Sequence, residues 1–230
     1  MGFWNPWSDE KPFTRDTRTI LIVNSKGGSG KTTLATNLAG YYADRGTAVA
    51  LADFDPQGSS LAWLAARPDD RAPIYGLAAW QGLRRVPARI DTVIMDVAAG
   101  MRDGALARMM VRAHTIIVPV LPSPMDIRAA ADFFSHLERL HGRADIRAKL
   151  AVVANRVREQ TCIAETLSAF MATLKHPFVA ALRDSQHYIA AAERGLGLFE
   201  LAPSTVAEDL EQWQPLLTWL NGKRSLPKAA

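Results

Sequence analysis

The sequence predicts an α/β fold, a doubly wound and mainly parallel sheet with helices on both faces. Three observations predict it. Short apolar runs alternate with helix-like stretches from one end of the chain to the other, which is the pattern of parallel strands joined by crossover helices. The runs are almost continuously hydrophobic, as strands buried on both faces are. The first of them ends in a glycine-rich turn that opens into a helix, the local context in which a backbone wraps an anion.

Taken in order, residues 1–18 (MGFWNPWSDEKPFTRDTR) are polar with two prolines and are expected to form a flexible arm. Phe3, Trp4 and Trp7 give that arm a second reading, as an aromatic anchor for a partner or a second subunit. Residues 20–23 are the first strand, and 24–30 crowd three glycines together. Glycine lets the backbone approach an anion and aim its N–H groups at it, and the helix that follows adds a partial positive charge. Gly27, Gly28, Ser29, Gly30, Lys31, Thr32 and Thr33 are therefore the expected phosphate cradle, with Lys31 reaching the β- and γ-phosphates and the Thr32 hydroxyl on Mg²⁺. The helix over 32–44 places Leu34, Leu38 and Tyr41 on one face and ends at Gly46.

Residues 48–54 form the second strand and run into Asp55-Pro56-Gln57-Gly58. A carboxylate leaving the C-terminal end of a strand lies on the edge where such sheets bind ligands. A short helix is expected over 59–66, a loop over 68–72, a brief strand over 73–75 and a helix over 76–89 broken at Pro87. The strand 91–97 carries Asp96 at its end. A helix over 101–113 leads to a strand over 114–120 that Pro119 is expected to cut short. A proline-punctuated loop and a helix over 127–141 follow. The strand 149–154 ends at Asn155-Arg156. A helix over 161–174, a strand over 178–182, a helix from Asp184 or Ser185 to Gly195 and an apolar connection over 198–201 precede the last helix, 203–220. There Leu210, Trp213, Leu217 and Leu220 make a core stripe. No shift in composition divides the chain, so residues 19–221 read as one domain, followed by a basic tail over 222–230.

The 230 residues are 48% hydrophobic and 22% charged, ordinary for a globular chain with a substantial core. The net charge of +4 permits nucleic-acid binding without showing it. Cys162 is the one cysteine, which excludes an internal disulfide or a cysteine metal centre and fits a reducing compartment. The five histidines, His114, His136, His141, His176 and His187, lack metal-ligand spacing, and no nucleophile–base pair stands out. No apolar run is long enough to span a membrane and no signal-peptide core is present, so a cytoplasmic protein is expected.

Lys26-Gly27-Gly28-Ser29-Gly30-Lys31-Thr32, with a lysine ahead of the glycines and Ser25 where the strict pattern has its first glycine, resembles the deviant Walker A motif of the ParA/MinD family of ATPases. Asp53-Phe54-Asp55-Pro56-Gln57-Gly58 is similar to the family's Walker A′ segment, and Asp96-Val97-Ala98-Ala99-Gly100 to its Walker B and switch II segment. Many relatives carry Asp-Thr-Pro-Pro-Gly at the last of these; here the carboxylate is kept and the switch is freer, since alanine is less restricted than proline. The resemblance covers residues 18–220 and is specific in these three motifs. It implies ATP and Mg²⁺ as cofactors. Asp55 would orient or activate the attacking water, Asp96 would hold Mg²⁺ through a water, and Asp53 would support the Mg²⁺ region. Lys26 would cross a dimer interface to the partner's phosphates, which couples ATP binding to dimerisation. Asn155 resembles the family's adenine-reading position; a strand-end turn asparagine is an equal reading.

Length and the lack of an N-terminal DNA-binding domain look like the small ParA class, sometimes called ParF-like. That resemblance implies an ATP-bound homodimer that coats the nucleoid without sequence preference, released by a ParB-like or adaptor protein that stimulates hydrolysis. The cargo so positioned would be a plasmid, a chromosome region, or a protein body such as a carboxysome or chemoreceptor cluster. Arg156, Arg158, Arg183 and Arg194 are the candidate phosphate-contacting residues for DNA. Two rival readings of this fold make demands of their own. A MinD-like membrane ATPase needs a basic amphipathic C-terminal helix, and Glu208, Asp209 and Glu211 argue against one. An iron–sulfur or metabolic enzyme of this fold needs cluster cysteines or a pocket that the sequence does not reveal.

Overall fold

The structure, a computed structural model, describes residues 10–13, 17–82, 85–101, 103–142, 145–158 and 162–227. Phe3, Trp4, Trp7 and Lys228 lie outside these residues. The elements in chain order are β1 (Glu10–Pro12), β2 (Arg18–Ile22), α1 (Lys31–Asp44), β3 (Val49–Asp53), α2 (Ser59–Ala65), β4 (Ile74–Ala78), β5 (Arg85–Pro87), β6 (Thr92–Asp96), α3 (Asp103–Arg112), β7 (Thr115–Val120), α4 (Pro124–His141), β8 (Lys149–Val157), α5 (Cys162–Thr173), β9 (Phe178–Arg183), α6 (His187–Ala192) and α7 (Pro203–Asn221).

Seven strands form one all-parallel sheet in the order β4-β3-β6-β2-β7-β8-β9. The first crossovers build one half of the sheet beside β2 and the later ones build the other half, so the direction of winding reverses next to β2. Ligands bind at such switch points, outside the carboxyl ends of the strands. Strand pleating sends alternate side chains to opposite faces. Ile20 and Ile22 pack with Leu34, Leu38, Trp63, Trp213 and Leu217 of α1, α2 and α7. Leu21 and Val23 pack with Leu106, Met110, Phe134 and Met171 of α3, α4 and α5. Helices cover both faces, as the composition of the strands requires.

Several segments differ from expectation. Residues 76–89 are not a helix. Ile74–Ala78 is an edge strand on β3, followed by a 3₁₀ turn over Ala79–Gln81 and the short strand β5. Gly76 explains the strand: a Cβ there would lie 2.7 Å from Leu64 Cδ2 and 2.9 Å from Leu61 Cδ2, so glycine lets α2 lie directly on the sheet. Pro119 does not end β7, which runs to Val120. Ile117 O accepts from Val23 N, so residue 119, two further on, faces the same side, where β2 has already turned away into the glycine loop. The missing proline N–H therefore costs no ladder bond, and Asn24 Nδ2 caps the Pro119 carbonyl at 2.6 Å. β8 continues past Asn155 to Val157 through a bulge.

At the termini, β1 pairs antiparallel with β5, and Phe13 is buried in the core; residues 10–13 thus belong to the folded body. After α7, Lys223–Ser225 makes a 3₁₀ turn. Ser225 is buried, and its carbonyl accepts from Thr115 Oγ1 at 2.7 Å.

Candidate nucleotide site

The glycine loop joins β2 to α1 at the carboxyl edge of the sheet. Gly28 and Gly30 have φ of +74° and +89°, a region side chains rarely enter. Gly30 is under a second constraint, since a Cβ there would fall 2.1 Å from Asn155 Nδ2. Asn155 is buried and donates from Nδ2 to Ser29 O at 2.9 Å, which ties β8 to the loop. Asn24 Oδ1 accepts from Lys26 N at 3.1 Å. Gly27 and Gly28 have no neighbours within 4 Å on the side where a Cβ would stand, leaving their backbone open.

Lys31, Thr32 and Asp96 converge beneath this loop. The Lys31 ammonium is buried and donates to Lys26 O at 2.9 Å. Burial lowers its pKa, while the charges of Asp96 and Asp55 oppose that shift. Thr32 Oγ1 and Ser60 Oγ both donate to Asp96 Oδ2, at 2.7 and 2.5 Å. Asp96 is 2% exposed, and burial pushes its carboxyl up to about 6 against those two hydrogen bonds, with Asp53 adding a like charge. A cation beside it would reverse that destabilisation of the charged form.

Asp53, expected to support the Mg²⁺ region, lies close enough to Asp96 to add a like charge there. It is fully buried; Oδ1 accepts from Asp55 N at 2.9 Å, and Oδ2 from Ser60 N at 3.0 Å and Leu61 N at 3.3 Å. It thereby braces the Asp55 loop and the first turn of α2. Asp55 is half-buried, and its Oδ1 accepts from Gln57 N at 3.0 Å. A cleft of about 500 Å³ is lined by Gly27, Gly28, Gly30, Lys31, Thr32, Thr33, Asp55, Gln57, Ser59, Val97, Ala98, Ala99 and Arg156. Lys26 is not on that lining, and among the described residues its ammonium has no partner.

A hydroxyl and a carboxylate side by side fit Mg²⁺. That ion takes oxygen ligands and keeps several waters, completing its shell from phosphates rather than from an all-protein cage. No cluster of three or more His, Cys, Asp or Glu suited to a metal occurs among the described residues.

The arginines expected to share a DNA face are not one free surface. Arg183 is held by Glu208 and, at 2.7 Å, by the fully buried Asp209. Arg158 pairs with Asp184 at 3.1 Å. Arg156 lines the nucleotide cleft, with φ of +54° at the β8 bulge. Arg194 is exposed on the surface. Charge counting along the sequence could not see the carboxylates of α7 folding back on Arg183. Ser60 was missed altogether; the signal was its place at the start of the helix after Asp-Pro-Gln-Gly.

A parallel α/β sheet with this loop at its switch point, with Lys31, Thr32 and Asp55 lining one cleft and Asp96 hydrogen-bonded to that threonine, defines a nucleotide-binding protein of the phosphate-loop class. The chain belongs to the ParA/MinD family: residues 20–199 match the family described as the CobQ/CobB/MinD/ParA nucleotide binding domain. It is 26% identical over 203 residues to the maintenance of carboxysome distribution protein A of Halothiobacillus neapolitanus, covering 84% of this chain and 93% of that one. Among solved structures, the ATP complex of a Cyanothece McdA variant superposes with a TM-score of 0.69 at 16% identity, covering 87% of this chain and 96% of the other. MinD from Pyrococcus horikoshii with Mg-ADP superposes with a TM-score of 0.64 at 17% identity, covering 90% and 98%. No helix among the described residues is long and apolar enough to cross a membrane.

Proposed function

We propose that the chain is a Mg²⁺-dependent ATPase that dimerises on ATP, binds DNA without sequence preference and positions a cargo with a partner that stimulates hydrolysis. Lys31, Thr32 and Asp55 line one cleft, Asp96 stands directly behind it on the Thr32 hydroxyl, and Lys26 lies outside; that arrangement carries this reading. Mg²⁺, when bound, neutralises charge on the β- and γ-phosphates. Thr32 and Asp96 would hold it, Lys31 would leave the Lys26 carbonyl for the phosphates, and Asp55 would orient the water that attacks the γ-phosphorus as the bond to the β-phosphate oxygen breaks. Lys26 completes the site of a second copy. Asn155, buried with its Nδ2 on the Ser29 carbonyl, would have to release the loop to read the base, so bracing the loop is its better-supported part. Similarity over most of the chain to a carboxysome distribution protein favours a protein body as cargo, with plasmid or chromosome partition as the related tasks. The membrane-binding alternative finds no support in α7, whose Trp213, Leu216, Leu217 and Leu220 are buried in the core.

The test is a gel shift on unrelated duplexes with ATP, ADP or no nucleotide, across a salt series. Pairing two copies raises avidity and phosphate contacts release counterions. Binding should therefore require ATP and fall steeply as salt rises. Arg194→Ala should weaken it on every sequence alike, whereas Arg183→Ala should chiefly lower stability, because it removes the guanidinium from the buried Asp209, whose carboxylate then keeps His187, at 2.6 Å, but no arginine. DNA binding that ignores nucleotide breaks the proposed link to dimerisation.

A further inference from the structure

A second cavity opens at the opposite edge of the sheet, where β7 and β8 begin and β9 is entered. Its volume is about 720 Å³, within the range of roughly 300–1,000 Å³ typical of small-molecule sites. It shares no residue with the nucleotide cleft. The six residues of β7, at about 3.3 Å each, set the two apart by roughly 20 Å. Met110, Ile116, Leu137, Leu150 and Trp219 give the cavity an apolar wall drawn from α3, β7, α4, β8 and α7.

Its other lining is cationic. Lys149, Lys223 and Arg224 line the cavity together with His141 and His176, and Glu138 is the one acid among them. None of the three cations has an ion-pair partner among the described residues. His176 Nε2 is buried without a hydrogen bond there and stands 3.8 Å from Glu138 Oε1. A buried polar atom left unpaired is costly and marks a place where a partner belongs. Leu226 on the lining is 37% exposed, and Phe178, next to the lining residue Pro177, is 44% exposed.

A packing defect would lack charge around it, and an ordinary solvated surface would mix its cations with acids. An apolar wall with an unpaired cationic rim suits one chemistry, a hydrocarbon body that ends in an anion. We propose that this cavity binds an anionic amphiphile, with the body against Leu137, Leu150 and Trp219 and a carboxylate or phosphate head at Lys149, Lys223 and Arg224. Such a head could come from a free fatty acid or from a bilayer phospholipid. Neither the nucleotide chemistry nor the proposed DNA binding requires this site.

The probe is sodium decanoate below its micelle concentration, titrated calorimetrically into the full chain, with decanol and acetate as comparators. Decanoate should bind at least tenfold more tightly than decanol, and acetate should give no heat. The double variant Lys223→Glu/Arg224→Glu, on two exposed residues, should lose at least tenfold for decanoate and leave decanol unchanged. Leu137→Trp, which fills the cavity and keeps the rim, should lose both ligands. Equal affinity for decanol and decanoate, an unaffected double variant, or no binding overturns the proposal. Flotation with phosphatidylglycerol vesicles separates the two sources. Co-flotation that the double variant loses, together with decanoate binding, assigns a lipid head; decanoate binding without flotation assigns a free acid. Flotation of a protein that ignores decanoate contradicts a single-molecule site.

Discussion

Lys31 and Asp55 face the same cleft and should fail in different ways. Lys31 is held buried by its own loop, 2.9 Å from the Lys26 carbonyl, so the cation is kept beside the cradle and exchanges that carbonyl for the phosphates. Lys31→Ala is predicted to weaken ATP binding by at least tenfold, measured by fluorescence titration with a labelled analogue. Near-normal affinity would reject the phosphate-loop assignment. Asp55→Ala leaves the cradle intact and is predicted to keep ATP affinity while losing hydrolysis by at least tenfold in a phosphate-release assay. Normal turnover would make Asp55 a turn residue only. At this scale the sequence announced the loop, because glycine, lysine and threonine spacing is local. It did not announce what Asp53 does, since the three backbone N–H groups it accepts are placed by the fold. Nor did it show that Arg156 belongs to the nucleotide cleft, a consequence of the bulge in β8.

Elements were legible where their signal was local and lost where packing decided. The strands around β2 are apolar runs of five or six residues and were read within a residue or two. β4 was misread because Gly76 serves a close approach of α2, a tertiary reason that a helical pattern can imitate. The link from α2 to the segment after α6 is another case. Arg67 and Glu200 are 133 residues apart in sequence and pair at 2.5 Å, with side chains only 5% and 1% exposed. Glu200 also accepts from Gly197 N at 2.8 Å. Removing one partner of a buried pair leaves an uncompensated charge and costs about 3–5 kcal/mol. Glu200→Ala is predicted to lose stability in that range in urea unfolding. A loss below about 1 kcal/mol would show that the pair is not buried in solution.

For the whole molecule, the carboxyl edge of the sheet gathers the nucleotide chemistry, while the opposite edge carries an apolar cavity with a cationic rim. The fold class was readable from alternation alone, and the family from three motifs. The surface was not, because pairing decides which arginines are free. The central claim is that ATP drives two copies together through Lys26, a residue outside the cleft its own loop forms. Light scattering on the eluting protein, with Mg²⁺ and a non-hydrolysable ATP analogue, tests this most directly. The wild type should elute at twice the 25.2 kDa of one chain with the analogue and as a monomer with ADP. Lys26→Ala should bind the analogue and stay monomeric. A wild-type monomer under saturating analogue, or a Lys26→Ala dimer like the wild type, would contradict the account.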